Sequence, residues 1–271
     1  MGTVKRIPPT DPATSAAGLR DTAERQSRPA QSYRGDFKLP AEVEEEIAGL
    51  TAGKESGARQ RILDMLAIAA RAYDRGYFKE SLQYAGKVLR QLPASVSARE
   101  LAGLSYYGLG KWHEASTRLQ WVVDTTGDMS QVPVLMDCHR AMGNYSEVAD
   151  LYDLLRRSSP LPEVLAEGRI VAAEALADEG RIMEGIELLE RAGVRKMIRN
   201  PKERHYRQWY VLGDLYEKAE HIATARLMFK RVSECDGGAT DAKERLDFIG
   251  GKETARRPRH RSAITGVTVP E

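Results

Sequence analysis

Apolar side chains lie on one helical stripe in the segment from Arg59 to Gly76. They recur at intervals of three and four residues, at Ile62, Met65, Ile68, Ala69 and Ala72. These intervals match the turn of an α-helix, so the pattern predicts an amphipathic helix that buries one face. Similar patterns continue to about residue 250, with glycine and proline between them. The chain is therefore predicted to be all-α.

A glycine recurs through this region at almost constant spacing. Gly76, Gly110, Gly143 and Gly180 follow one another at steps of 34, 33 and 37 residues. A helix terminator stands seventeen residues after each of the first three, namely Pro93, Gly127 and Pro160. Glycine commonly ends a helix, so this period predicts repeated helical hairpins with the glycine in the turn. The spacing leaves room for helices of roughly 12–18 residues on either side.

The segment from Trp209 to Tyr216 shows the pattern in its most complete form. It reads W-x2-L-G-x2-Y, and Ala225 and Phe229 follow as A-x3-F. This segment resembles the tetratricopeptide repeat, and the earlier units match it in part. The resemblance covers about residues 60–250. It implies a right-handed α-solenoid of about five helix hairpins, and it implies no particular function.

A narrower resemblance rests on two segments, PVLMDCHRAMGNYSEVADLY and TDAKERLDFI. Both are similar to segments of a family of small uncharacterised actinobacterial tetratricopeptide proteins with disordered ends. That family carries no assigned activity, so this resemblance adds nothing about function.

Small residues at Ala69, Gly103 and Gly213 predict close approach of paired helices. A single hairpin cannot bury both of its faces, so successive hairpins must stack. Trp112 and Trp209 are predicted to matter for stability because burial of a large side chain contributes roughly 1.5–3 kcal/mol. A last helix is predicted to cover the final repeat as a cap, through Leu246, Phe248 and Ile249.

The composition divides the chain into four segments. Residues 1–38 are rich in proline and small polar residues without periodicity, which predicts a disordered tail. Residues 39–56 predict a short helix and a linker, because a proline stands in the first turn. Residues 57–250 predict the repeat domain with its capping helix. Residues 251–271 predict a second disordered tail, which is basic.

Catalytic and cofactor-binding motifs do not occur in the sequence. HExxH, GxSxG, GxGxxG and GxxxxGK[ST] are all missing. Cys138 and Cys235 lie too far apart to form a zinc site with the spacing of known motifs. We therefore expect no enzyme activity, no catalytic residue, no cofactor and no metal. No apolar run of 18 residues or secretory signal is present either, so the predicted location is the cytoplasm, without a membrane partner.

The tetratricopeptide resemblance implies a partner groove, because in that fold the first helix of each hairpin lines the concave side. We call the implied lining positions the first-helix stripe: Leu66, Ala70, Tyr73, Glu100, Leu104, Tyr107, Asp137, Arg140, Glu174, Asp178, Tyr210, Asp214 and Glu217. The stripe is apolar and aromatic in the first repeats and acidic in the last ones. One interpretation is a groove for a protein or peptide with an apolar anchor and a basic flank. The other interpretation is an ordinary solvated face.

Two functions are consistent with these features. The first is a non-enzymatic scaffold that binds a protein or peptide in the groove. The alternative is a nucleic-acid-associated protein that uses its basic ends, where the arginines are Arg20, Arg25, Arg28, Arg34, Arg256, Arg257, Arg259 and Arg261. So few charges give only weak, salt-sensitive contact with phosphates. A further hypothesis is that the C-terminal arginines occupy the acidic part of the stripe until a partner displaces them. The oligomeric state does not follow from the sequence.

Overall fold

The computed structural model of the chain describes residues 38–55, 57–158, 160–235 and 240–256. The regular structure in these ranges consists of twelve α-helices and one short 3-10 helix. The chain divides into two compact units, Met1–Ala175 and Leu176–Glu271, here called the N-terminal and C-terminal units. The predicted disordered tails fall largely outside the described residues.

The N-terminal unit contains a single helix followed by three helical hairpins and most of a further helix. Its helices are α1 (Ala41–Leu50), α2 (Ala58–Asp74), α3 (Phe78–Gln91), α4 (Val96–Gly108), α5 (Trp112–Thr126), α6 (Val132–Ala141), α7 (Tyr145–Arg157) and α8 (Pro162–Asp178), the last of which crosses the unit boundary. The C-terminal unit contains α9 (Ile182–Arg191), α10 (Glu203–Lys218), α11 (Ile222–Ser233) and α12 (Ala242–Arg256). The all-α hairpin architecture is as predicted.

The four periodic glycines lie in the turns inside the hairpins, as predicted. Their backbones are left-handed, with φ of 78° at Gly76, 70° at Gly110, 76° at Gly143 and 87° at Gly180. This conformation suits glycine because it has no Cβ to clash with the following carbonyl. In the fifth hairpin, where the glycine is missing, Glu220 adopts the same conformation with a φ of 61°. The turn geometry is therefore kept even where the residue that favours it is lost.

The predicted helix length is wrong for two helices. Both α6 and α9 are 10 residues long. The chain before α6 forms a 3-10 turn at Met129–Gln131, which the side chain of Asp128 caps by accepting from the Ser130 N–H at 2.9 Å. Helix α9 stops early because Gly193 follows it with a φ of 77°. The capped turn before α6 and the glycine after α9 thus make these two helices shorter than the repeat spacing allows.

Close helix approach is confirmed at two of the predicted small residues, Gly103 and Gly213. A Cβ at Gly103 would lie 2.9 Å from the Leu119 side chain, and one at Gly213 would lie 3.1 Å from Met228 and Phe229. The structure adds a tighter contact, since a Cβ at Gly168 would lie 2.3 Å from Leu155. These distances are shorter than van der Waals contact, so each glycine sets the spacing of its helix pair.

Two glycines in helices offer a matched pair of alanine substitutions. Gly108→Ala is expected to lower the free energy of unfolding by about 1–3 kcal/mol, since its Cβ would lie 2.6 Å from the rigid ring of Phe78. Gly86→Ala is expected to raise it by up to about 1 kcal/mol, because only an arginine tip lies within 4 Å and alanine favours helix. Urea unfolding followed by circular dichroism measures both. Stabilisation by Gly108→Ala would contradict the packing.

The last helix differs from its prediction in two respects. It extends to Arg256, so the boundary predicted at residue 251 falls inside it. The residues after Gly251 have high helix propensity, and the next proline stands only at Pro258, which explains the extension. Ile249 is buried as predicted, whereas Phe248 is 60% exposed and does not belong to the cap's buried face.

Candidate functional site

The apolar beginning of the first-helix stripe is covered by the chain itself. Leu66 on α2 is only 2% exposed, and it packs in a cluster with Ile47 of α1 and with Ile62 and Val88. The prediction that Leu66 lines an open groove is therefore wrong. The physical reason is that α1 buries its own apolar side chain, Ile47, against this position.

Three further stripe residues are also part of the interior. Tyr73 and Leu104 are 3% and 8% exposed, and both belong to one core cluster, against which the partly buried Ala70 packs. The ring of Tyr73 lies 5.7 Å from that of Phe78. An apolar anchor of a partner cannot reach these side chains in this arrangement. The prediction of an open apolar lining is thus wrong for Tyr73 and Leu104 as well.

Four stripe residues from three successive first helices meet in a polar cluster. The Tyr107 hydroxyl on α4 donates a hydrogen bond to Asp137 Oδ2 on α6. Arg140 Nη2 lies 2.8 Å from Asp137 Oδ1 and 3.7 Å from Glu174 Oε2 on α8. Asp137 is only 3% exposed, and its burial is tolerated because it has both a hydroxyl and a guanidinium partner. The register taken from the sequence thus places Tyr107, Asp137, Arg140 and Glu174 together.

Glu100, one turn before Leu104 on α4, is a carboxylate in an unfavourable environment. Gln131 Nε2 donates to its Oε1 at 2.7 Å. Burial raises the pKa of Glu100 above its usual range. The hydrogen bond from Gln131 lowers this pKa in part, and the negative charges of Asp128 and Glu46 raise it further. The folded state therefore binds the Glu100 proton more tightly than the unfolded chain does.

Glu100→Gln is expected to stabilise the protein at neutral pH. Because the pKa of Glu100 is raised in the folded state, the free energy of unfolding falls as the pH rises through that pKa. In acid, Glu100 is protonated in both the folded and the unfolded state, so it costs no stability there. The variant should thus unfold at a higher urea concentration than wild type at neutral pH, and the difference should shrink as the pH is lowered below the ordinary glutamate range. Glu114→Gln, at an exposed position on α5, controls for the loss of a charge. A difference independent of pH would contradict the prediction.

In the C-terminal unit, an arginine of the capping helix binds the acidic part of the stripe. Arg245 Nη2 on α12 lies 2.7 Å from Asp214 Oδ1 and 2.7 Å from Glu217 Oε2. Its Nη1 donates to the Tyr210 hydroxyl at 3.3 Å, and Tyr210 in turn donates to Asp241 Oδ1 at 2.7 Å. The guanidinium also lies 4.5 Å from the centre of the Phe229 ring. These carboxylates are therefore not an open acidic surface.

This contact changes the hypothesis about the C-terminal tail. Arg245 occupies the Asp214 and Glu217 carboxylates, and Arg257, Arg259 and Arg261 lie outside the described residues. Asp178, the remaining acidic stripe residue of this unit, is exposed at the end of α8. The occupant is a residue of the cap, where the ordered helix α12 holds the guanidinium in a fixed position.

Sequence reasoning missed the residues that cover the stripe. Arg245 lies in the segment predicted as a cap, where a lone arginine is typical of a solvated face. Glu46 of α1 accepts hydrogen bonds from the hydroxyls of Ser95 and Ser97, at the start of α4. A serine after Pro93 is a recognisable N-cap signal. Nothing in the sequence indicates that a glutamate 49 residues earlier binds there.

Two potentially reactive side chains lie beside the polar cluster. Burial raises the pKa of the Cys138 thiol, and the neighbouring Asp137 charge adds to the shift, so the thiolate is disfavoured. Burial lowers the pKa of His139. In the part of the chain that the structure describes, no group of three or more His, Cys, Asp or Glu side chains is arranged to hold a metal ion. Among the same residues, no helix has the length and apolar character needed to cross a membrane.

Solved structures share this architecture. A thermophilic TPR protein from Thermus thermophilus aligns with a TM-score of 0.54 at 15% identity, over 69% of this chain and 98% of that chain. A tetratricopeptide repeat protein from Parabacteroides merdae aligns with a TM-score of 0.55 at 18% identity, over 78% of each chain. No protein-family model matches the sequence.

One curated relative matches a limited region. The Phagocyte signaling-impaired protein of Drosophila pseudoobscura pseudoobscura is 34% identical over 91 residues, which are 33% of this chain. The match spans 10% of that protein's length. The repeated hairpins, their glycine turns and the structural likenesses place the chain among the α-helical repeat proteins. Within that class, it is a tetratricopeptide-repeat protein by fold. The narrower actinobacterial resemblance stays a prediction.

Proposed function

We propose that the chain is a non-enzymatic scaffold that binds a protein segment along its first-helix stripe. The polar cluster of Tyr107, Asp137, Arg140 and Glu174 carries this proposal, because it connects three successive first helices through hydrogen bonds and an ion pair. Stacked repeats present such surfaces to extended segments, which several helices contact at once. Arg140 and Glu174 keep 19% and 14% of their side chains exposed, so a partner can contact them from solvent.

The C-terminal unit favours a basic partner. Arg245 shows the chemistry that its stripe accepts, namely a guanidinium between two carboxylates and above an aromatic ring. Arginine suits this geometry because its planar fork can donate to both carboxylates at once. A partner arginine would bind in the same manner, in the place of Arg245.

Co-purification from the native cell tests the scaffold proposal. The wild-type chain is compared with a stripe variant, Arg140→Gln with Glu174→Gln, in which amides replace the charges. The matched control is Arg156→Gln with Asp153→Asn, which removes an exposed ion pair of 2.9 Å on α7. We expect a protein that binds the purified wild type and control directly, and the stripe variant roughly tenfold more weakly.

Two outcomes would contradict this proposal. Equal binding to all three chains would place the partner away from the stripe. Release of all bound material by nuclease would instead favour the nucleic-acid alternative. Circular dichroism of each variant checks that the helices are intact, so that lost binding reports the surface and not the fold.

A further inference from the structure

Helix α1 lies on the first-helix stripe in the manner of a bound ligand. It precedes the first hairpin and belongs to no repeat, yet its Ile47 is fully buried against α2 and α3. Its contact face consists of Val43, Ile47 and Leu50, spaced by four and three residues, together with Leu39 just before the helix. The opposite face is acidic and exposed. This is the arrangement of an amphipathic helix in a groove.

A carboxylate fixes the position of α1 on this surface. Glu46 Oε1 accepts from Ser95 Oγ at 2.8 Å, and Glu46 Oε2 accepts from Ser97 Oγ and, at 3.1 Å, from the Ser97 backbone N–H. These donors lie at the first turn of α4, a helix of 13 residues. The N-terminus of a helix attracts anions because its N–H groups and its dipole both favour negative charge. The surface therefore binds an apolar residue and an adjacent carboxylate.

We propose that the surface beneath α1 is a binding site for an acidic amphipathic helix of a partner protein, and that α1 is its resident occupant. The partner helix would place an apolar residue at the position of Ile47 and a glutamate or aspartate at that of Glu46. This inference rests on the proposed function, because it names one surface of the scaffold and the class of segment that the surface accepts.

The attachment of α1 permits exchange. The helix has only 10 residues, and isolated helices of this length are marginal in water. Residues 51–57 connect it to α2, and two of them, Gly53 and Gly57, have left-handed backbones. A cleft of about 450 Å³ remains beside it, lined by Lys38, Arg59 and Asp64 among others. The helix is therefore held by one fully buried side chain, Ile47, by the partly buried Leu39, Val43 and Leu50, and by the Glu46 carboxylate.

The cleft beside α1 is lined by two cations, Lys38 and Arg59, and by two carboxylates, Glu44 and Asp64. Helix α1 carries Glu42, Glu44 and Glu45 near this end, in addition to Glu46. The cleft therefore has no net formal charge, and the preference for an acidic helix comes from the position of Glu46 at the N-terminus of α4.

A synthetic peptide of residues 38–52 tests the site as a labelled probe in fluorescence anisotropy. The full chain is prepared as wild type and as an opened variant, Glu46→Ala with Ile47→Ala, which removes the carboxylate and the fully buried side chain of α1. The peptide is expected to bind the opened variant about 100-fold more tightly than wild type, because the tethered helix competes at high effective concentration. A peptide with Glu46→Ala should bind the opened variant roughly tenfold more weakly. A peptide with Glu45→Ala, at an exposed position, should bind unchanged.

Several results would overturn the inference. Equal peptide binding to wild type and opened variant, or none to either, would mean that the surface accepts no helix in trans. Loss of cooperative unfolding in the opened variant would mean that α1 is an integral part of the core. A stable dimer of the wild-type chain in sedimentation experiments, dissociated by the opening substitutions, would assign the site to a second copy.

Hydrogen exchange on the wild-type chain provides an independent measurement. Amides of Ile47–Leu50 should exchange faster than those of α4, because α1 leaves the surface without unfolding the hairpins. Equal protection of the two helices would overturn the inference. The peptide assay uses neither Arg140 nor Glu174, so its failure leaves the scaffold proposal to be decided by the stripe variants.

Discussion

Replacing Trp209 by alanine should lower the free energy of unfolding of the C-terminal unit by about 3–5 kcal/mol. Trp209 is the first residue of the repeat signature and is 1% exposed. Its indole Nε1 donates to the Val194 carbonyl at 2.7 Å, which attaches the loop after α9 to α10. The substitution removes the largest buried side chain of the unit and leaves that carbonyl without its donor. Thermal and urea unfolding by circular dichroism measure the loss.

Two further variants separate the packing of Trp209 from its hydrogen bond. Trp209→Phe keeps most of the apolar volume. It should therefore lower the free energy of unfolding only by about the cost of an unsatisfied buried carbonyl, about 1–3 kcal/mol. Trp121→Ala is the control for removal of a tryptophan, because Trp121 is only partly buried and packs against Arg99 at 3.9 Å. If Trp209→Ala lowered the free energy of unfolding no more than Trp121→Ala does, the assignment of Trp209 to the core would be contradicted.

Replacing Arg245 by alanine is the second change with a large expected effect, a loss of about 2–4 kcal/mol. The side chains of Asp214 and Glu217 are only 13% and 22% exposed. Without the guanidinium, Asp214 would keep Lys218 at 2.8 Å, whereas Glu217 would lose its arginine partner. Arg245→Lys should recover only part of the loss, because an ammonium cannot present the planar fork that contacts both carboxylates and Tyr210. Unfolding midpoints at low and high salt measure the effect.

Arg191→Ala is the matched control for Arg245. Arg191 also pairs with a carboxylate, Glu187 at 2.5 Å, but its side chain is 77% exposed. An exposed pair contributes about 0–1 kcal/mol, so this substitution should change stability little. If the two arginine substitutions had equal effects, Arg245 would be an ordinary surface charge. The cap would then be held by its buried apolar residues, Ala242 and Ile249, alone.

The period in the sequence predicted the hairpins because it depends on local chemistry. A glycine such as Gly76 ends a helix through its own backbone freedom, and a residue such as Trp209 identifies its repeat by its neighbours. The same register placed Tyr107, Asp137 and Arg140 on the stripe, and in the structure these three side chains contact one another. In contrast, it gave no information on exposure. Leu66 and Tyr73 hold the predicted stripe positions and are nevertheless buried.

The sequence alone determined the fold class, the hairpin turns, the small residues that set helix spacing and the order of polar residues along the stripe. These features depend on residues that are close in the chain or repeat at a fixed interval. Only the tertiary structure decided what covers the stripe. Glu46 meets Ser97 across 51 residues, and Arg245 meets Asp214 across 31. A contact that occurs once between distant residues leaves no period in the sequence. The sequence also does not show which of the many charged residues makes it.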